Sequence, residues 1–341
     1  MIECIFTIDY EIYGDGTGSL KDLVHDPGVE LANIFRNWDV PLVVFVEAAE
    51  LEKIEEFGAD PAIDLVKRQI REFYRDGFEI GLHLHPQWCN ASHDRGTWRL
   101  DYSEYNLCTL PSSRIRQIVD RSCAFLQHLV DQGGFAPLSY RAGNWLFQPT
   151  QAAASILAEK GMRIDSSVFK GGLIHQYHLD YRPALRNGYF WRFSCDVNKP
   201  DPLGPWFELP IHTEMVHFWE MLTVKRMSFS PGSGASSRSD RKRLAKFLDR
   251  TRFRYPLKLD FCRMTINELV TMVETVIRED RDDPDLCRPI VAIGHTKDLT
   301  DPQTVNLFLS FLQGKGIKVS TFKDVYPRLL IEEKEAVETH C

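Results

Sequence analysis

The chain has 341 residues and a formal net charge of −7, long enough for one large α/β domain or two smaller ones. The negative balance argues against a nucleic-acid footprint, and no apolar run is long enough to span a bilayer, so neither nucleic acid nor membrane is expected as a partner. The eight cysteines are scattered without a Cys-x-x-Cys pair, which fits reduced thiols in a cytosolic protein better than a disulfide framework or a zinc ribbon. A first strand that starts almost at Met1 leaves no room for a signal peptide, so a cytoplasmic address is expected.

Ile2 to Asp9 reads as a buried strand running into Asp9-Tyr10-Glu11. Asp9 and Glu11 share a face if the strand continues, and two carboxylates at the end of a buried strand need a metal, a cation or water to compensate them. Gly14-Asp15-Gly16-Thr17-Gly18 follows. Its third glycine is misplaced for a dinucleotide turn, and no Gly-Lys-Ser/Thr follows it, so it reads as a rim loop. Pro27 to Trp38 is predicted helical. Pro41 to Glu47 is a nearly continuous apolar strand, the mark of a parallel sheet covered on both faces. A helix from Pro61 to Arg75 leads to the third strand, Phe78 to His85. Side chains at i and i+2 of a strand point the same way, so His83 and His85 can converge on one point beyond its end, a geometry that suits Zn²⁺ or a similar ion. Strands alternating with helices imply right-handed crossovers and a parallel sheet.

Residues 86 to 111 form a polar and aromatic loop beside the histidines, with Trp88, Trp98, Tyr102 and Tyr105. Ser112 to Val130 has helical spacing and Gly133-Gly134 stops it; His128 falls off its apolar stripe and is expected to face solvent. A short strand at Pro137 to Tyr140 delivers Arg141-Ala142-Gly143-Asn144-Trp145. Pro149 to Lys160 is helical, and Met162 to Ile164 is a strand ending at Asp165-Ser166-Ser167. Strands are suggested at Tyr189 to Phe193 and Trp206 to Ile211. Phe229 to Asp240 reads as a flexible loop, either a lid or a disordered excursion, and Arg241, Lys242, Arg243, Lys246 and Arg250 as a solvated helix face. Tyr255 to Phe261 is a strand, Thr265 to Arg278 a helix, and Pro289 to Gly294 a buried strand with His295-Thr296-Lys297 at its end. Asp301 to Leu312 is helical, Lys318 to Thr321 is a last strand, and Tyr326 to Leu330 leads into a charged, frayed tail.

Asp9, Glu11, His83, His85, Arg141, Asp165 and His295 all lie at or just past predicted strand ends. In a parallel sheet or barrel those ends share one face, where active sites collect. A carboxylate pair, a histidine pair, a guanidinium and a separate histidine are the parts of metal-assisted hydrolysis.

On these residues the sequence resembles the polysaccharide deacetylases of the NodB-homology type, carbohydrate esterase family 4, as a divergent branch. The family's Thr-Phe-Asp-Asp corresponds to Thr7-Ile8-Asp9-Tyr10-Glu11, its His-x-x-x-His to the stretch at His83-Leu84-His85, its arginine motif to Arg141-Ala142-Gly143-Asn144-Trp145, its aspartate motif to Asp165-Ser166-Ser167 and its final histidine to His295. The resemblance implies a distorted (β/α) barrel of about seven parallel strands in one domain over residues 1–330, with an irregular insertion around 170–260 and a charged tail at 331–341. It implies one divalent metal ion, commonly zinc, and a small-molecule or glycan substrate. By the same resemblance Asp9 is the base, Arg141 holds Asp9 ionised, His295 protonates the leaving amine and Asp165 orients His295. Trp145 walls the acyl pocket, and Trp88 and Tyr10 are expected to contact substrate. Tyr10 stands where the family has its second aspartate, so Glu11 is the expected ligand with His83. The family's second histidine would fall at Gln87; His85 is the expected replacement and His93 a weaker one. The implied activity is removal of an N-acetyl group from a carbohydrate or glycan precursor. The alternatives are hydrolysis of another non-peptide C–N bond, such as a cyclic amide or ureide, or a non-catalytic carbohydrate-binding descendant.

Overall fold

Nine strands form one curled sheet in the computed structural model, which describes residues 1–130, 134–217, 253–284 and 286–338, with side chains of the last helix described to residue 331. The strands are β1 (Ile2–Tyr10), β2 (Val43–Glu47), β3 (Glu79–Leu84), β4 (Ser139–Ala142), β5 (Ile164–Asp165), β6 (Trp191–Phe193), β7 (Trp206–Glu208), β8 (Arg288–His295) and β9 (Lys318–Val319). Their order is β6-β7-β5-β4-β3-β2-β1-β8, with β9 beside the start of β1. All pairings are parallel except β6 with β7. Isolated parallel bridges Phe169–Ile211 and Ile211–Val291 join the β5 side to β8, curling the sheet into the expected distorted (β/α) barrel.

The central strands are apolar on both faces because both are covered. Helices Asp26–Asn37, Ala48–Phe57, Ile63–Arg75, Ser112–Val130, Gln151–Glu159, Ile266–Asp282 and Pro302–Gly314 pack outside. The small inner core holds Ile5, Val43, Phe45, Ile164, Phe207, Leu209 and Val291, closed below by Phe322, Val325 and Leu329. Thr265 caps the helix Ile266–Asp282 in a reciprocal capping box with Glu268.

Ala48–Phe57 is a helix in a stretch that the sequence left unassigned, and Phe322–Glu338 is one continuous helix where Tyr326 to Leu330 is expected to lead into a frayed tail. Pro327 falls six residues into it, and Phe322, Val325 and Leu329 recur at helical spacing and seal the barrel floor. His128 is exposed, as its position off the stripe implies. The Phe229–Asp240 loop, the basic run at 241–250, Gly133 and Cys341 lie outside the described residues. No described helix is long and apolar enough to cross a membrane.

Candidate active site

Strand register sets the site. Asp9 pairs with His295 and with Phe45, while Glu47 pairs with His83, and His83 with Arg141. In-register neighbours in a parallel sheet share a face, so His83 and Arg141 point inward together, and Asp9, in register with Phe45 and Gly81, points inward two residues lower on the same face. Arg141 lies fully buried across the barrel. Its Nη1 donates to Asp9 Oδ1 at 2.6 Å, Nη2 to Thr7 Oγ1 at 2.9 Å, and Nε to Ser166 O at 2.9 Å, while its guanidinium lies 4.2 Å from the Phe45 ring centroid. Burial would push the Asp9 carboxyl up, but Arg141, His83 and His295 outweigh it and hold Asp9 below the usual carboxylate range.

Glu11 continues the inward face two residues past Asp9. Its Oε2 lies 3.4 Å from His83 Nε2 and 3.1 Å from His85 Nε2. Its Oε1 accepts a 2.8 Å bond from Lys297 Nζ. Burial would raise the Glu11 carboxyl, yet Lys297 and the two imidazoles hold it well below the usual range. Gly143 allows His85 to close in, because a Cβ there would lie 2.6 Å from Leu84 O and 2.7 Å from the His85 ring. Asn144 and Trp145 follow with φ of 54° and 65°, two consecutive left-handed non-glycine residues. Such conformations cost about 1–3 kcal/mol each and persist where surrounding structure enforces them. Here they aim Asn144 and Trp145 into a cavity of about 180 Å³ lined also by Asp9, Glu11, His83, His85, His295 and Lys297.

The donor set fits a divalent metal ion. Glu11, His83 and His85 each offer one atom, all within 4.8 Å of one another. Tetrahedral Zn²⁺ with ligands at about 2.0–2.1 Å separates them by about 3.3 Å, close to the 3.1 and 3.4 Å that Glu11 makes with the two imidazoles. The tautomer agrees. His83 Nδ1 lies 2.9 Å from Arg141 O; a carbonyl only accepts, so Nδ1 carries the proton and Nε2 turns toward a carboxylate oxygen. That contact needs a cation between the two, or a second proton on the ring. Lys297 occupies Oε1 and leaves Oε2 for the histidines. Glu11, His83 and His85 would hold the ion.

Other expected residues fall elsewhere. Tyr10 is fully buried on the outward face of β1, its hydroxyl bonded to Gln69 Oε1 and its ring against Phe73; strand alternation sends it opposite to Asp9. Trp88 is also fully buried, because the turn Pro86–Trp88 folds it back against Trp98, ring centroids 4.9 Å apart. Neither lines the cavity. Asp165 pairs in register with Tyr140 rather than Arg141, so it faces away from His295. It accepts 2.6 Å from Ser167 Oγ and pairs in register with Glu208, whose carboxyl burial pushes well up. Asp298 takes the position beside His295, its Oδ2 3.5 Å from His295 Nδ1, and Arg263 holds it with bonds of 2.8 and 3.0 Å. His93 packs against Trp98 in a small hairpin, ring centroids 4.7 Å apart, and is not part of the Glu11, His83 and His85 group. Gln87 Nε2 lies 3.1 Å from His85 Nδ1.

Sequence reasoning missed Lys297, Asp298, Glu47 and Glu50. The first two lie two and three residues past His295, where a glance along the same turn finds them. Glu47 Oε1 accepts from His85 N–H and Glu50 Oε1 from Ile12 N–H, each at 2.9 Å. Both carboxyls are fully buried; burial pushes Glu47 well up and Glu50 up to about 8.

No protein-family model and no curated protein sequence matches the chain. Solved structures do. A protein of Mycobacterium smegmatis assigned as a polysaccharide deacetylase superposes with a TM-score of 0.56 at 14% identity, over 97% of this chain and 91% of that one. A protein of Pseudomonas aeruginosa PAO1 with the same assignment superposes with a TM-score of 0.50 at 12% identity, over 95% and 89%. What is shared is the fold. Both superpositions cover nearly the whole of this chain.

Proposed function

We propose that the chain is a metal-dependent hydrolase that removes an N-acetyl group from a carbohydrate or glycan precursor. The observation that carries this reading is the convergence of Glu11, His83 and His85 within 4.8 Å, beside an aspartate that Arg141 fixes from one side and His295 approaches from the other. A structural ion pair alone would need neither the histidine pair His83 and His85 nor the cavity. The likeness in fold to polysaccharide deacetylases supports the same assignment.

Asp9, kept ionised by Arg141, takes a proton from the attacking water. His295 Nε2 lies 3.4 Å from Asp9 Oδ2, so that proton can pass to the imidazole and on to the leaving nitrogen. Burial pulls His295 down to about 4, so it is neutral at rest and able to receive it. Trp145 walls the acyl group, its ring centroid 6.2 Å from that of His295. A divalent ion on Glu11, His83 and His85 would polarise the acyl carbonyl and favour negative charge on its oxygen.

The test is metal content of the purified chain, followed by acetate release from N-acetylated sugars. Near-stoichiometric zinc or a similar ion together with acetate release supports the reading. A chain that takes up no divalent ion after reconstitution is not this hydrolase.

A further inference from the structure

Most cations at the mouth of the site are committed to a carboxylate. Arg141 is bonded to Asp9, Lys297 to Glu11 and Arg263 to Asp298. Lys258 is different. It ends the strand Arg254–Lys258, and its Nζ lies 4.1 Å from the Trp145 ring centroid and 4.9 Å from that of Phe169. Among the described residues no carboxylate or carbonyl oxygen stands within bonding distance of this ammonium. Asp260, two residues on, turns its Oδ1 to the backbone N–H groups of Cys262 and Arg263.

An ammonium held between two ring faces keeps part of its stabilisation through cation–π attraction but loses hydration on those sides. Burial pulls Lys258 down to about 8, with Asp260 and Arg263 and, more weakly, Asp9 and Arg141 acting on it, so it is mostly charged at pH 7. Its position relative to the chemistry is fixed by Trp145, which lines the cavity. Trp145 lines that cavity and carries the ammonium over its ring, so a substrate group that extends past Trp145 would meet Lys258.

We propose that Lys258 is a substrate-binding residue and that the substrate carries an anionic group, phosphate or carboxylate, which pairs with its ammonium at the Trp145 edge of the site. The assignment of that group to a substrate rests on the hydrolase reading; the anion site itself does not.

The experiment measures calorimetric binding of glucose, glucose 6-phosphate and glucuronate to the full chain. None of these carries an acyl amide, so turnover does not interfere. A charge-assisted hydrogen bond gives about ten- to hundredfold in affinity. The wild type is expected to bind one or both anionic sugars by that factor more tightly than glucose. Lys258→Met should lose the preference and Lys258→Arg should keep most of it, which also shows that the position tolerates substitution. A larger preference for the phosphate or for the carboxylate identifies the source of the anion. Equal affinity for all three sugars, no measurable binding of either anionic sugar, or a preference that survives Lys258→Met overturns the proposal. Anion binding through Lys258 without acetate release from any N-acetylated sugar would refute the hydrolase reading alone, and hydrolysis without anion preference would refute this inference alone.

Discussion

Arg141 Nη1 donates to Asp9 Oδ1 over 2.6 Å, and neither side chain meets solvent. Removing one partner of such a pair leaves a bare charge inside, at a cost of about 3–5 kcal/mol. Arg141→Met is therefore expected to lower unfolding free energy by that amount in a urea titration. Asp9→Asn should cost less, because the amide oxygen still accepts from Arg141, while hydrolysis is lost because an amide cannot take the proton. Full activity in Asp9→Asn would remove Asp9 from the role of base.

The Glu11 carboxylate joins both imidazoles at 3.1 and 3.4 Å. Glu11→Gln, His83→Ala and His85→Ala should each abolish stoichiometric metal binding, read by elemental analysis of purified protein. Ligands that bind only the folded state stabilise it by mass action, so a chelator should lower the melting temperature of the wild type and leave those three variants unmoved. A chelator effect of equal size in His85→Ala would exclude His85 from the ligand set.

Glu47 supports His85 from behind, accepting from its backbone N–H at 2.9 Å in a fully buried position. Groups that orient metal ligands typically contribute about ten- to hundredfold in affinity. Glu47→Ala strands that N–H and should weaken metal binding by this factor. Glu47→Gln keeps an acceptor of the same shape and should stay within a few-fold, since burial pushes the native carboxyl well up and its contact with His85 is a hydrogen bond to the backbone N–H. Equal losses in the two variants would mean that charge, not the hydrogen bond, is what matters there.

Much of this scaffold was legible because parallel strands have simple rules. The apolar runs at Val43–Glu47 and Arg288–His295 and the helical spacing of Ser112–Val130 appear in the structure close to their expected bounds. The inward set Asp9, Glu11, His83, His85, Arg141 and His295 follows from strand ends and period-two alternation. What was not legible depends on register between strands. Asp165 sits at a strand end like Arg141, but it pairs with Tyr140, one residue earlier, and so faces the other way. Tyr10 and Trp88 are aromatic neighbours of site residues in sequence and core residues in space. The supporting Glu47 and Glu50 carry no motif; burial alone marks them, and burial is a property of the assembled barrel.

Register turns Asp165 away from His295, whereas the turn Thr296–Asp298 brings Asp298 beside it. Asp298 Oδ2 stands 3.5 Å from His295 Nδ1, an ion-pair distance that stabilises the imidazolium formed when His295 takes the proton. Asp298→Asn should lower kcat about ten- to hundredfold, with the acidic limb of the kcat–pH profile displaced downward. Asp165→Asn should leave that limb in place. Reversal of these two results would restore Asp165 as the residue that orients His295.

His212 offers a stability test away from the site. Its ring lies parallel to that of Tyr189, 6.2 Å between centroids, and burial pulls its pKa from about 6.5 down to about 4. The unfolded chain binds a proton at this residue as pH falls through about 6.5, whereas the folded chain resists until about 4. The unfolded state thus holds more protons across that window. Stability from this group is complete above pH 6.5 and is lost as pH falls toward 4, by about 2 kcal/mol once its partial exposure is allowed for. Unfolding free energies measured from pH 7.5 to 4.5 should fall more steeply in the wild type than in His212→Gln, where no proton is taken up. Parallel curves for the two proteins would show that His212 titrates normally and that the Tyr189 face does not exclude its charged form.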